Sequence, residues 1–204
     1  MTRWSEIKVK AQIRVLEHWK VFCLLTSFCL SFATPAATEQ ALDQQKFIGV
    51  QAAYIFNLAR FVQWPQLNGS SFQICLLGQS QPKLTNQLQQ GTKDKTIQSL
   101  PVHILALDPA EISLAEAGEQ LQWCRVLYLT ADPSDMGWTE LPQLNQPHIL
   151  RIAAPQLAAN PYSQVDLVVE QGRILLYVNS DSLQQSGLQV NPALLSIARQ
   201  RAKL

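Results

Sequence analysis

The chain contains the serine, histidine and aspartate that many enzymes use, but their spacing assembles no catalytic set. A nucleophilic serine is usually raised on a GxSxG elbow, and none occurs. The phosphate-cradling GxGxxG and GxxxxGK[ST] loops are missing, as is the zinc-binding HExxH helix. His103 alternates within an apolar run, and His148 follows Pro147 at a strand start; both read as core or sheet-face residues rather than bases. Asp166 and Glu170 fall on one face of a predicted hairpin strand. Two carboxylates at that spacing could share acid–base work, but a solvated sheet face is the commoner arrangement. Asn68-Gly69-Ser70 fits a glycosylation sequon and equally a turn; the turn is preferred. The reading is of a non-enzyme with no catalytic residues and no cofactor.

Four cysteines and three histidines could hold a metal, but no CxxC pair occurs and the histidines are scattered, so no metal site is expected. Two of the cysteines, Cys23 and Cys29, lie in an uncharged run, VFCLLTSFCLSFA, at 21–33. A basic leader precedes that run and Thr34-Pro35-Ala36-Ala37 follows it. Those are the parts of a secretory signal peptide, predicted over 1–37. A retained membrane anchor is the alternative, although the run falls short of the ~20 apolar residues that span a bilayer. Export would leave one cysteine pair, Cys75 and Cys124, in an oxidising compartment. A disulfide between them would close a long loop, contributing up to roughly 4 kcal/mol. Two free buried thiols are the other option.

Positioning these residues falls to one domain over 38–204. Hydrophobic residues are 47% and charged residues 15%, enough apolar side chain for a core. The net charge of +1 offers no basic stripe, so nucleic acid is not expected as a partner. Thr38 to Gln45 is polar and predicted to be loose. Apolar residues from Phe47 to Val62 then recur every three or four positions, predicting a helix that stops at Trp64-Pro65. Strands are predicted at 72–77, 100–107, 124–129 and 147–152, with helices at 82–90, near Ser113 to 122, and over 137–144. Gly91 is read as a helix stop. Two apolar runs around Glu170-Gln171-Gly172-Arg173 predict a hairpin over 165–179. A short helix is predicted at 180–185, and a last one at 192–201 capped by Asn191. The alternation predicts an α/β fold: a mixed, mostly parallel β-sheet flanked by helices on both faces, with a late antiparallel hairpin.

Aromatic residues Tyr54, Phe61 and Trp64, with Pro65, cluster at the end of the first helix. They are the candidate partner or ligand surface, with Trp64 expected to be partly exposed; packing of Tyr54 and Phe61 on the sheet is the competing reading.

Several blocks together resemble the YfiR family (DUF4154). AAYIFNLARFVQWP at 52–65, which includes Asn57, is similar to the family's opening helix. FQICLLGQS at 72–80 is similar to its first strand, with Cys75 and Gly78 in place, and CRVLYLT at 124–130 to its second cysteine-bearing strand. RILLYVNSDSLQQSGLQVNPALLSIAR at 173–199 resembles the closing block, matching at Asn179, Gly187, Leu188, Leu194 and Leu195. The sequence departs from the family where Tyr162-Ser163-Gln164-Val165 replaces a Gly-Gly pair, where Asn191-Pro192 replaces serines, and in lacking a second cysteine pair. The resemblance implies a periplasmic regulator that contacts the periplasmic domain of a membrane-bound diguanylate cyclase and holds it inactive, so that cyclic di-GMP signalling and biofilm formation are restrained. A small-molecule-binding module tuning a membrane sensor kinase is the alternative. A symmetric homodimer is compatible with either.

Overall fold

The computed structural model describes residues 36–65 and 69–201, and the side chains from Asp43 onward. The predicted leader lies outside the described residues, apart from its last two. Two compact units divide the chain, residues 1–43 and 44–204. The described part of the first is helical.

Helix α1 (Ala36–Phe61) is followed at once by the two-residue strand β1 (Val62–Gln63). The segment 38–45, expected to be loose, is helical, in keeping with its alanine, glutamate, glutamine and leucine content. The sheet is then laid down by β2 (Phe72–Leu77), helix α2 (Pro82–Thr92), β3 (Thr96–Ile97), β4 (Leu100–Leu107), helix α3 (Leu114–Leu121) and β5 (Cys124–Leu129). Leu84 and Leu88 anchor α2 as their spacing predicts, but Gly91 lies inside this helix rather than ending it. Ser113 and Glu116 form a reciprocal capping box at the start of α3.

Past β5 the chain makes turns and one short 3-10 segment, Pro142–Leu144, where a helix over 137–144 was expected; Pro142 lacks the amide a longer helix would need. Strand β6 (Leu150–Ala153) begins later than predicted because His148, the second residue of the predicted strand, takes a left-handed conformation, φ 63°. Strands β7 (Val165–Glu170) and β8 (Arg173–Val178) form the predicted hairpin, turned by Gln171 and Gly172 at φ 49° and 73°. The chain closes with α4 (Ser180–Gln185), β9 (Gln189–Val190), α5 (Pro192–Ile197) and β10 (Arg199–Gln200). The last helix is thus shorter than the predicted 192–201, because residues 199–200 pair with β8.

The eight-stranded sheet runs β10-β8-β7-β6-β5-β2-β4-β3. Its central strands, β4 through β7, are parallel, β7–β8 is antiparallel, and β1 pairs with β9 in a small separate ribbon. One apolar layer joins Ile55, Leu58 and Ala59 of α1 and Leu84 and Leu88 of α2 to Phe72, Ile74, Val126 and Tyr128. A second joins Ala117 and Leu121 of α3, Trp138 and Leu144 to Cys75, Leu77, Leu127 and Leu129. Alternate residues of β2 and β5 feed opposite layers, which is how a buried parallel sheet carries helices on both faces.

Candidate functional site

The aromatic group at the end of α1 divides. Trp64 is 6% exposed, not partly exposed as expected. Its indole Nε1 donates to the Ala59 carbonyl at 2.8 Å, and its ring meets Phe72 edge-on at a centroid distance of 5.1 Å. The indole folds back beneath the helix end, where it both fills the core and satisfies a late helical carbonyl. Tyr54 is half-buried, donating from its hydroxyl to the Ile174 carbonyl at 3.2 Å. Phe61 is also half-buried, and Pro65 and Asn57 are exposed. The Phe61 carbonyl accepts from the Asn191 amide at 2.8 Å, so α5 starts against the end of α1. On α5, Leu194 is buried, whereas Leu195 and Ile197 are 40% and 64% exposed.

Cys75 and Cys124 are joined in a disulfide with a Cα–Cα distance of 5.9 Å, between adjacent strands β2 and β5, and both are fully buried. The other motif positions are structural. The Asn179 side chain accepts from the Ser182 amide at 3.1 Å and caps α4. Gly187 turns the chain after α4 at φ 68°, with the His148 ring 3.1 Å from where a Cβ would stand, and Leu188 is buried behind it.

The strand order reverses direction between β2 and β5, and in open α/β sheets ligands bind at the carboxyl ends of the strands at that point. Here the crevice is filled. Thr130 Oγ1 donates to the carbonyls of Leu77 and Gln79, and a Cβ on Gly78 would lie 2.6 Å from both Thr130 Oγ1 and the Ala131 amide.

Among the described residues, the candidates His103, Asp166 and Glu170 are not brought together. His103 is exposed on β4. Asp166 and Glu170 belong to different environments, so the pairing on a solvated face is corrected. Asp166 is 1% exposed, accepting from the Ser163 hydroxyl, from the Ala159 amide at 3.1 Å and from Arg201 Nη1 at 3.0 Å. A Gly-free sequence at 162–165 makes this possible, because Ser163 supplies the hydroxyl. Glu170 lies at the hairpin end, held below the ordinary carboxylate range by hydrogen bonds from the Tyr177 hydroxyl and Arg199. Among the described residues no cluster of three or more His, Cys, Asp or Glu could hold a metal ion.

A cleft of about 810 Å³ opens instead at the opposite end of the sheet, at the amino ends of β6 and β7. Arg151, Tyr162, Asn145, Gln185 and Arg201 are among the residues lining it. Arg151 projects from β6, 6% exposed, with Nε donating to the Tyr162 carbonyl at 2.8 Å and Nη1 to the Gln146 carbonyl at 3.1 Å. Sequence reasoning passed over it. The available signal was an arginine inside the otherwise apolar run HILRI.

The domain is a mixed α/β fold whose switch point is closed by the contact of Thr130 with Gly78. The family model described as YfiR/HmsC-like (DUF4154) matches residues 49–199, and the chain belongs to that family. The curated proteins hold no match to it. Among solved structures, the ABC domain in complex with L-Trp from Streptococcus pneumonia is similar at 11% identity and a TM-score of 0.49, covering 73% of this chain and 61% of that one. The chain spans about three fifths of that structure's length. Among the described residues no helix is long and apolar enough to cross a membrane.

Proposed function

We propose that this protein is an exported, periplasmic regulator that restrains an inner-membrane diguanylate cyclase by contact with the cyclase's periplasmic domain. The observation that carries this reading is the family match over 49–199. The buried Cys75–Cys124 disulfide is compatible with an oxidising compartment. The contact surface would use the half-buried Phe61 and exposed Pro65 at the end of α1 and the exposed Leu195 and Ile197 of α5. Repression by binding is a population shift. A near-complete switch needs a roughly 10⁴-fold preference, about 5.5 kcal/mol, for the inactive cyclase.

The test uses the full reading frame expressed in its own envelope. Deletion should raise cellular cyclic di-GMP, and the exported protein should co-purify with the periplasmic domain of one membrane cyclase. Ile197→Lys should weaken that association without lowering the melting temperature. Unchanged cyclic di-GMP on deletion, with no association with any of the cell's membrane cyclases, would overturn the reading.

A further inference from the structure

We infer that the cleft at the amino ends of β6 and β7 is a binding site for a small polar organic carboxylate, with the Arg151 guanidinium as its anion-holding group. The inference stands apart from the cyclase reading, because it concerns a ligand and needs no protein partner.

A guanidinium presents five N–H donors in a planar fork. Arg151 spends one from Nε and one from Nη1 on backbone carbonyls. Among the described residues its other donors, both of those on Nη2 included, have no acceptor, and no carboxylate lies within ion-pair distance of it. Two further charged groups line the same cleft: Arg201, neutralised by Asp166 at 3.0 Å, and the exposed carboxylate of Asp181, which is not within ion-pair distance of Arg151. The neighbouring Gln164, fully buried, accepts from the Arg151 amide through Oε1 at 2.7 Å and leaves its own Nε2 without an acceptor.

Burying a cation without a counter-charge is costly, and natural proteins seldom keep one idle. Desolvation lowers the Arg151 pKa to about 10, which leaves the group charged at neutral pH. The positive charge therefore persists on a largely buried side chain at the cleft wall, where an arriving anion gains more than it would in bulk water. The fork geometry favours a planar carboxylate held by two parallel hydrogen bonds. The volume, about 810 Å³, falls in the range of small-molecule sites. The amides and hydroxyls of Asn145, Gln185 and Ser182 suit a polar body, and the Tyr162 ring and Pro147 supply its apolar contact.

Thermal unfolding of the protein purified from cells expressing the full reading frame provides the test. The probes are gluconate, lactate and L-glutamine, with glucose and inorganic phosphate as controls. At least one carboxylate should raise the melting temperature by about 5 °C or more at a hundredfold excess over its Kd. Glucose should give no shift. Arg151→Gln should weaken binding roughly 10- to 100-fold. The exposed-rim variants Asn145→Asp and Gln185→Glu, which place a like charge in the cleft and leave the fold intact, should weaken it as well. The inference is overturned if no carboxylate shifts the wild-type protein, if phosphate alone does, or if the variants bind as tightly as the parent.

Discussion

Gly78 and Gly91 show how two residues of one type carry opposite consequences. At Gly78 φ is +125°, and a Cβ would press within 2.6 Å of backbone and of the Thr130 hydroxyl. Gly78→Ala should therefore cost about 2–4 kcal/mol in denaturant unfolding, since strain and overpacking add. Gly91 sits in α2 with open space around it, so Gly91→Ala should stabilise by about 0.5–1 kcal/mol in the same measurement. A charge effect at this scale concerns Glu170, whose pKa is lowered from 4.5 by the Tyr177 hydroxyl and Arg199. A carboxylate depressed by folding stabilises above its unfolded pKa and loses that contribution as pH falls through the folded value. Glu170→Gln should lower the melting temperature slightly near neutral pH, and the gap from wild type should close as pH falls below the ordinary carboxylate range. A gap that stays constant across that range would show the hydrogen bonds to be idle.

At the scale of elements, the disulfide and the caps hold parts together by different means. Cys75 and Cys124 lie 49 residues apart on neighbouring parallel strands, so the bond removes the freedom of a long unfolded loop. Replacing both by alanine should lower stability by up to about 4 kcal/mol, and reductant applied to unfolded protein should reproduce the loss. Native protein should resist reductant, because both sulfur atoms are buried. An identical melting curve in reduced and oxidised protein would remove the bond's structural role. Ser113→Ala should cost about 1 kcal/mol, since Ser113 and Glu116 satisfy each other's backbone amides at the start of α3. Patterning made these elements legible: 72–77, 100–107, 124–129, and the hairpin around Gln171-Gly172 follow from apolar runs and turn residues alone. Chain ends were less so. The last helix stops at Ile197 because residues 199–200 find a strand partner in β8, a competition that no local window contains.

Taken as a whole molecule, the domain has two apolar layers and two possible sites at opposite ends of its sheet. The switch-point end is closed by Thr130 against Gly78, and the other end is open around Arg151. Under the two proposals above, a carboxylate held in the cleft would be coupled to partner binding through the domain. By linkage the ligand then changes partner affinity by the same factor that the partner changes ligand affinity. Calorimetric titration of the complex with the carboxylate found to bind should give a Kd that differs from that of the free protein by the same factor as the ligand changes partner affinity. Equal affinities in both would show the cleft and the contact surface to be uncoupled.

The amino-acid sequence by itself determined the fold class, the strand alternation and the family. Each of these is written in local periodicity or in residue types at short spacing. Only the tertiary structure decided burial. It turned Trp64 inward because its N–H could reach the Ala59 carbonyl. It buried Asp166 because Ser163 and Arg201, three and 35 residues away, were brought around it. It gave Arg151 a cleft because α4 and residues 200–201 converge on the start of β6. Desolvation and counter-charge depend on neighbours distant in sequence, so the chemistry of a polar side chain is settled by packing, whereas its secondary structure is settled by its own neighbourhood.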